Sequence, residues 1–115
     1  GGSGGCEGGI AELAFESVIK AGGIASEWTY PYVSHSGDDF ACKFDINGTK
    51  NAVAPVANFT SYKRLSHNDY SELMTAVATV GPVSISVDAS SWSAYESGVY
   101  DGCNMSSPAI DHNVL

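Results

Sequence analysis

Apolar residues spaced three and four positions apart mark the first structured part of the chain. This spacing predicts an amphipathic helix over residues 10–21, with one face buried and the other in water. Gly22 and Gly23 follow, and glycine accepts the left-handed conformation that closes a helix. The predicted buried stripe consists of Ile10, Leu13, Ala14, Val18 and Ile19.

The same spacing returns later in the chain and predicts a second helix within residues 66–80. Either Ser66 or Asn68 can cap its first turn, because both side chains carry an oxygen that accepts backbone N–H groups. The Gly-Pro pair that follows ends it. Its predicted apolar stripe is Tyr70, Leu73, Met74, Val77 and Ala78.

Strict alternation of apolar and polar residues predicts strands in the last third of the chain. The run VSISVDA at 83–89 and the run AIDHNVL at 109–115 both alternate in this way. Two weaker candidates are the run 52–62, whose proline suits an edge strand, and GVYDG at 98–102, predicted as a short strand and turn. Residues 90–98, which follow the run 83–89, predict a short helical turn. The faces predicted to be apolar hold Val83, Ile85 and Val87 in one strand and Ile110, His112 and Val114 in the other.

Residues 26–50 show no sustained period and are rich in Pro, Gly, Asp and Ser, which predicts a long ordered loop. Three aromatic residues, Trp28, Tyr30 and Tyr32, are expected to pin this loop to the rest of the protein. The order of helix, loop, strand, helix and strands predicts an α+β fold with an antiparallel sheet.

Composition narrows the classes of protein to which the chain can belong. Apolar residues make up 43% of its 115 residues, as in globular proteins. The formal net charge of −8, with only five basic residues, argues against a nucleic-acid partner. No run approaches the roughly 20 apolar residues that cross a bilayer, so no membrane contact is expected. The first residue is not Met, and the last residues break off within a predicted strand. We therefore expect a fragment of a longer protein.

Three cysteines lie far apart at Cys6, Cys42 and Cys103, without the close pairs that zinc sites use, so no metal site is expected. None lies in an electropositive stretch or beside a base in sequence, which favours structural disulfides over a reactive thiol. N-x-S/T sequons at Asn47, Asn58 and Asn104 mark possible N-glycosylation sites. Together these features favour an oxidising, secretory environment.

His112 is the strongest candidate for chemistry, because an imidazole titrates near neutral pH and can take and return a proton within one cycle. It lies beside Asp111 in a strand that otherwise looks buried. Taken alone it also fits a hydrogen-bonded structural histidine. His35 and His67 lie in polar stretches and are expected at the surface.

The opening GGSGGCEGGI has two interpretations. It is either a flexible terminus, or a shaped segment whose glycines let the backbone of an extended peptide lie against it. A phosphate-binding loop is excluded, since the lysine and serine of the nucleotide motif and the glycine spacing of the dinucleotide motif are both missing.

Six blocks in order resemble the papain-like cysteine peptidases, and in particular their cathepsin L-like branch. The resemblance covers the chain from Gly5 onward. The blocks are GCEGG at 5–9, YPY at 30–32, a lone cysteine at 42, VGPVSISVDA at 80–89, YESGVYDGC at 95–103 and DHNVL at 111–115.

The resemblance implies a partial papain-like two-domain fold. Residues 1–24 would supply the glycine block and helix of the left domain. Residues 25–115 would supply a loop and much of the antiparallel β right domain, ending within the strand of the catalytic histidine.

The resemblance also implies roles for individual residues. His112 matches the catalytic histidine that pairs with a cysteine thiolate. Asp111 matches the residue whose backbone carbonyl lines the cleft, and Gly8 and Gly9 match glycines that pair with the substrate backbone. Asn113 stands where a small residue is usual, and would narrow the cleft or bond to substrate. Positions around the pocket for the second residue before the scissile bond are Ile10, Ala11, Ser86 and Ile110.

By the same resemblance, Cys6, Cys42 and Cys103 are half-cystines of three different bridges, with their partners outside this chain. The nucleophilic cysteine and the asparagine that orients the histidine should lie upstream and downstream, so the 115 residues alone should be inactive. No cofactor is implied. The resemblance implies peptide or protein substrates, a propeptide and cystatin-like inhibitors. It also implies a lysosome-like, vacuolar or extracellular setting. The alternative is a non-catalytic homologue that keeps the fold as a binding or structural protein.

Overall fold

The computed structural model describes residues 7–47 and 52–115. The chain divides into two units, residues 1–63 and residues 64–115. The elements of regular structure are helix α1 (Ala11–Ala21), helix α2 (Tyr70–Thr79), strand β1 (Ile85–Val87), a 3-10 turn (Trp92–Ala94) and strand β2 (His112–Val114). Helices with one antiparallel strand pair confirm the predicted α+β class.

Helix α1 confirms the first helix prediction to within one residue. Ile10 is still extended, at φ −125°, so the helix begins at Ala11. It ends at Gly22, whose φ of 84° is the left-handed conformation expected there. The amides of Gly22 and Gly23 then bond back to carbonyls of the last turn, at 3.2 and 3.1 Å. This geometry satisfies backbone acceptors that the end of a helix leaves free.

An aromatic cluster packs α1 against the end of the first unit. The Phe15 ring lies 5.8 Å from that of Phe59, edge to face, and 5.5 Å from that of Tyr62. The Tyr62 hydroxyl donates to Glu16 on the next position of the helix, at 3.1 Å. Such ring pairs add about 0.5–1.5 kcal/mol beyond the area they bury, so this cluster helps to anchor α1.

The predicted strand over 52–62 is wrong, because only isolated bridges form there. Val53 pairs in parallel with Phe44, and Ala57 pairs in antiparallel with Ile24. Pro55 lies between the two bridges and has no N–H to donate, so a continuous ladder is interrupted at that point. The segment therefore changes its partner instead of extending one sheet.

The long loop is held by one of its three aromatic residues, not by all of them. The Tyr30 hydroxyl accepts a hydrogen bond from the backbone N–H of Lys43 at 3.0 Å. Trp28 and Tyr32 are instead 96% and 73% exposed. Within the 115-residue chain, the prediction that Trp28 and Tyr32 pin the loop is therefore wrong.

Helix α2 confirms the second helix prediction, but its cap differs. The Asp69 carboxylate accepts from the backbone N–H of Glu72 at 2.8 Å, which makes Asp69 the N-cap in place of Ser66 or Asn68. The Glu72 carboxylate in turn accepts from the backbone N–H of Ser66 at 2.7 Å. A cap of this kind stabilises a helix by about 1 kcal/mol.

Strands β1 and β2 form an antiparallel pair of three residues each, shorter than the alternating runs predicted. Opposite one another lie Ile85 and Val114, Ser86 and Asn113, and Val87 and His112. The short strand predicted within residues 98–102 does not form. Val99 there is 96% exposed, and the Tyr100 hydroxyl is instead hydrogen-bonded to that of Ser91.

No hydrophobic or polar side chain is buried among residues 7–47 and 52–115. The apolar stripe of α2 shows this most clearly, since Tyr70, Met74 and Val77 are 74%, 50% and 51% exposed. The apolar stripe that predicts each helix is therefore present, but the described residues do not bury it. In the same ranges no helix has the length and apolar character needed to cross a bilayer.

Candidate functional site

His112 is the first residue of β2 and lies opposite Val87 of β1. Directly opposed residues of an antiparallel pair share a face of the sheet, so His112 lies on the face of Ile85, Val87 and Val114. This confirms the predicted face. The prediction of a buried strand is wrong, however, because His112 itself is exposed in this chain. An exposed imidazole in an apolar row is accessible to a reacting partner.

The ring of Trp92 lies against the imidazole of His112. The two ring centroids are 6.0 Å apart and the ring planes are nearly perpendicular, at 88°. Trp92 begins the 3-10 turn that follows β1, and 38% of it is exposed. An edge-to-face contact of this kind restricts the rotation of the imidazole.

The opposite face of the strand pair carries two residues predicted to contact substrate, Ser86 of the pocket and Asn113 of the cleft. The Ser86 hydroxyl donates to the Asn113 side-chain oxygen at 2.9 Å. The two polar groups thus satisfy each other across the strands. Ile110, another predicted pocket residue, precedes β2 and is 59% exposed.

Asp111 ties the start of β2 to the end of β1 through both its backbone and its side chain. Its N–H donates to the carbonyl of Val87 at 3.1 Å. Its carboxylate accepts from the N–H of Ala89 at 2.9 Å. Together these bonds fix the backbone immediately before His112.

Asp88 is a second carboxylate at the same end of the strand pair. One of its oxygens accepts from both the N–H and the hydroxyl of Ser90. The other accepts from the N–H of Ala109 at 2.9 Å. The Ser90 hydroxyl, followed by the backbone donors of Ala109 and Ser90, lowers the pKa of Asp88 below its ordinary 3.8. The carboxylate therefore stays ionised, and keeps these bonds, in mildly acidic solution.

The glycine block belongs to the first unit, where Gly8 and Gly9 form an exposed, non-helical approach to α1. Gly8 has φ 97°, a conformation that other residues rarely adopt, and open space surrounds the position of a side chain there. Ile10, the next predicted pocket residue, is 50% exposed, and Ala11 begins α1. Gly8 and Gly9 are thus exposed among the residues that the structure describes.

Two of the three predicted half-cystines lie within the described residues. Cys42 and Cys103 are exposed and unbridged there, and Cys6 lies outside the described residues. No group of three metal-ligating side chains is found in the ranges that the structure covers.

All three predicted glycosylation sites, Asn47, Asn58 and Asn104, are exposed. The side-chain oxygen of Asn104 accepts from the N–H groups of Ser106 and Ser107, each at 3.1 Å. His35 and His67 are exposed, as predicted.

Three residues near His112 were missed by the sequence interpretation: Asp88, Ser90 and Trp92. Part of the signal was present, since an Asp two residues before a Ser is typical of a turn in which the carboxylate accepts the serine N–H. The bond from Asp88 to Ala109 spans 21 residues and leaves no local pattern. The contact between Trp92 and His112 likewise depends on the strand pairing.

Comparison with known proteins agrees with the resemblance found in the sequence. The family model described as "Papain family cysteine protease" matches residues 1–115. Procathepsin L of Mus musculus and cathepsin L2 of Homo sapiens are each 40% identical over 116 residues, covering 99% of this chain and 32% of each relative. Cysteine proteinase 7 of Dictyostelium discoideum is 39% identical, covering 99% of this chain and 23% of that protein. The chain thus spans about a third or less of the length of these curated relatives.

Proposed function

Because the chain belongs to the papain family of cysteine proteases, we propose that it is part of a cysteine endopeptidase in which His112 is the catalytic base. The observation that carries this proposal is the placement of His112. It is exposed, fixed at the start of β2 by the bonds of Asp111, and oriented by the ring of Trp92. A histidine held in this way is suited to exchange protons with a partner group.

In the proposed mechanism His112 holds a cysteine outside this chain as its thiolate, in a thiolate–imidazolium pair. The thiolate attacks the peptide carbonyl, and hydrogen-bond donors stabilise the oxyanion that forms. His112 then protonates the leaving amine and later activates the water that hydrolyses the thioester. No step requires a metal or an organic cofactor.

The glycine block is proposed to bind the backbone of the substrate. Gly8 and Gly9 present exposed, non-helical backbone, and a side chain at Gly8 would be strained by its φ of 97°. An extended peptide pairs with backbone of this kind through its own N–H and C=O groups. The carbonyl of Asp111 is proposed to line the cleft on the histidine side.

The remaining roles are proposed from the family. Cys6, Cys42 and Cys103 are half-cystines whose partners lie elsewhere in the full-length protein, and the exposed sequons are compatible with glycosylation in a secretory compartment. A lysosome-like, vacuolar or extracellular setting follows, with peptide or protein substrates, a propeptide and cystatin-like inhibitors. Residues 1–24 are assigned to the left domain of the papain-like fold and residues 25–115 to part of the right domain. The non-catalytic alternative is not favoured, because the relatives that match are named cathepsins and cysteine proteinases.

The proposed pocket predicts a preference for Leu, Val or Phe at the second substrate residue before the scissile bond. Of the residues that the family resemblance assigns to this pocket, Ile10, Ala11 and Ile110 are apolar, and the Ser86 hydroxyl is satisfied by Asn113. Burying a large apolar side chain there stabilises by about 1.5–3 kcal/mol, so kcat/KM should exceed that of an Arg substrate by about tenfold or more. A panel of fluorogenic peptides with the full-length protein measures this ratio.

A matched variant sharpens the peptide test. Asn113 bonds to the pocket residue Ser86. Asn113→Asp keeps the size of the side chain and adds a carboxylate beside the pocket, so it should raise kcat/KM for the Arg peptide and lower it for the Leu peptide. A preference for Arg in the unsubstituted protein would contradict the pocket assignment. An epoxide that alkylates active-site thiols should abolish hydrolysis of every peptide in the panel, and hydrolysis that survives it would contradict the cysteine mechanism itself.

The 115-residue chain alone should not hydrolyse peptides, because the proposed base has no nucleophile within it. Cys42 is exposed in the first unit, and Cys103 is exposed nine residues before His112 in sequence. Within the described part of the second unit the imidazole has Trp92 as its ring partner, and no hydrogen bond joins it to Cys103. The purified chain and the full-length protein should be assayed side by side with the best peptide of the panel. Turnover by the chain would show that the nucleophile lies inside it.

A further inference from the structure

One carboxylate connects the two chain segments that meet at His112. Asp88 follows β1 directly, and its two oxygens point to different partners, one to Ser90 and the other to Ala109. Ser90 leads to Trp92, and Ala109 leads to His112. We propose that Asp88 is a positioning residue, which sets the orientation of the His112 imidazole by holding these two segments together. The catalytic consequence, although not the positioning itself, rests on the proposed function.

The first arm of this arrangement fixes the turn that carries Trp92. The Asp88 carboxylate accepts from the Ser90 N–H at 3.0 Å and also from the Ser90 hydroxyl. The N–H of Trp92 then donates to the carbonyl of Ala89 at 3.1 Å, and the 3-10 turn begins at Trp92. Displacement of Ser90 would therefore displace the indole.

The second arm fixes the approach to β2. The other oxygen of Asp88 accepts from the N–H of Ala109 at 2.9 Å, three residues before His112. Because β2 has only three residues, the ladder alone gives His112 little support. Asp111 supplies a further bond to Ala89, so the backbone leading to His112 is tied to the end of β1 at Ala109 and at Asp111.

The two arms meet in the contact between Trp92 and His112, whose ring centroids are 6.0 Å apart. A carboxylate that only shaped its own turn would bond to Ser90 alone. The bond to Ala109, across 21 residues, is the observation that separates a positioning role from a local turn role. The lowered pKa of Asp88 agrees with this, since it stays charged where a papain-family enzyme in an acidic compartment would work.

The test compares variants of the full-length protein. Asp88→Asn removes one acceptor and places an N–H₂ group against a backbone N–H, so it breaks one of the two arms. Ser90→Ala removes one hydroxyl and keeps the carboxylate, as a milder variant. Asp101→Asn is the control, because Asp101 is exposed and no hydrogen bond to it is found in the described part of the chain. It makes the same change in charge without breaking either arm.

The direct measurement is the NMR position of the His112 ring resonances, at one pH at which all imidazoles are protonated. In the unsubstituted protein the Trp92 ring current should separate them from those of His35 and His67, which are both exposed. Asp88→Asn should move the His112 resonances toward those two, and Ser90→Ala should move them part of the way. Asp101→Asn should leave them in place.

The kinetic measurement separates positioning from substrate binding. Asp88→Asn should lower kcat about tenfold with KM changed less than twofold, because the base is misplaced while the substrate contacts remain. Unchanged His112 resonances, or an unchanged kcat, in folded Asp88→Asn protein would overturn the proposal. Where that variant does not fold, unchanged resonances in Ser90→Ala overturn it. The NMR result decides the positioning role even if the unsubstituted protein hydrolyses no peptide, an outcome that would refute the proposed function alone.

Discussion

Replacing His112 with alanine in the full-length protein is expected to lower kcat/KM by about 1000-fold or more. The imidazole is proposed both to hold the nucleophile as a thiolate and to protonate the leaving amine, and its loss removes both contributions at once. Its exposure and its position at the end of a short strand mean that little packing is lost with it. Within residues 64–115 the change is therefore a surface substitution, a class that usually alters stability by no more than about 0.5 kcal/mol.

The matched control for this variant is His67→Ala. His67 is an exposed histidine of the same unit, two residues before the Asp69 cap of α2, and it carries no proposed role. Its kcat/KM should stay within about twofold of the unsubstituted value. Labelling with the thiol-directed epoxide should be slowed in His112→Ala and unaffected in His67→Ala. A His112→Ala protein that is folded and retains a tenth of its activity would remove His112 from the mechanism.

The 115-residue chain by itself is expected to show no cooperative thermal unfolding. Its accessible surface is 9353 Å², whereas a folded monomer of 12.0 kDa exposes about 6000 Å². No hydrophobic side chain is buried among residues 7–47 and 52–115, so the burial that offsets the entropy of chain ordering is missing. Large exposed apolar surface of this kind also favours aggregation.

Calorimetry and near-ultraviolet circular dichroism of the isolated chain test this expectation, with the full-length protein as the control. The full-length protein should give a sharp transition, because the remaining two thirds of a relative's length are available to cover the apolar face of α2 and the exposed rings of the loop. A cooperative transition in the isolated chain would show that its two units are stable without that cover.

Elements marked by a repeated local pattern were predicted well from the sequence. The stripe from Ile10 to Ile19 and the glycine at position 22 together located α1 to within one residue. The alternation around His112 gave the correct face of β2, which the pairing of His112 with Val87 confirms. In each case the information lies within a few residues, where periodicity reports it directly.

Features that depend on distant partners were not predicted. The run around Pro55 has strand composition but finds two different partners, so no single ladder forms. The alternation around Ile85 is longer than the strand, because only three residues meet a partner. The cap of α2 required a choice among several polar side chains, and geometry selected Asp69. The role proposed for Asp88 rests on a bond to Ala109, 21 residues away, which no local sequence pattern indicates.

The short strand pair also has a consequence for folding errors. A shift of β2 by one residue along β1 would exchange its faces, so that Asn113 would stand where His112 stands and the imidazole would point to the opposite side. Three residue pairs provide little free energy to oppose such a slip. Between the two segments, the side chain of Asp88 accepts from the N–H of Ala109 and that of Asp111 accepts from the N–H of Ala89, and a one-residue shift would separate both pairs. The two carboxylates thus favour the correct register of the strand pair, which the three-residue ladder alone specifies only weakly.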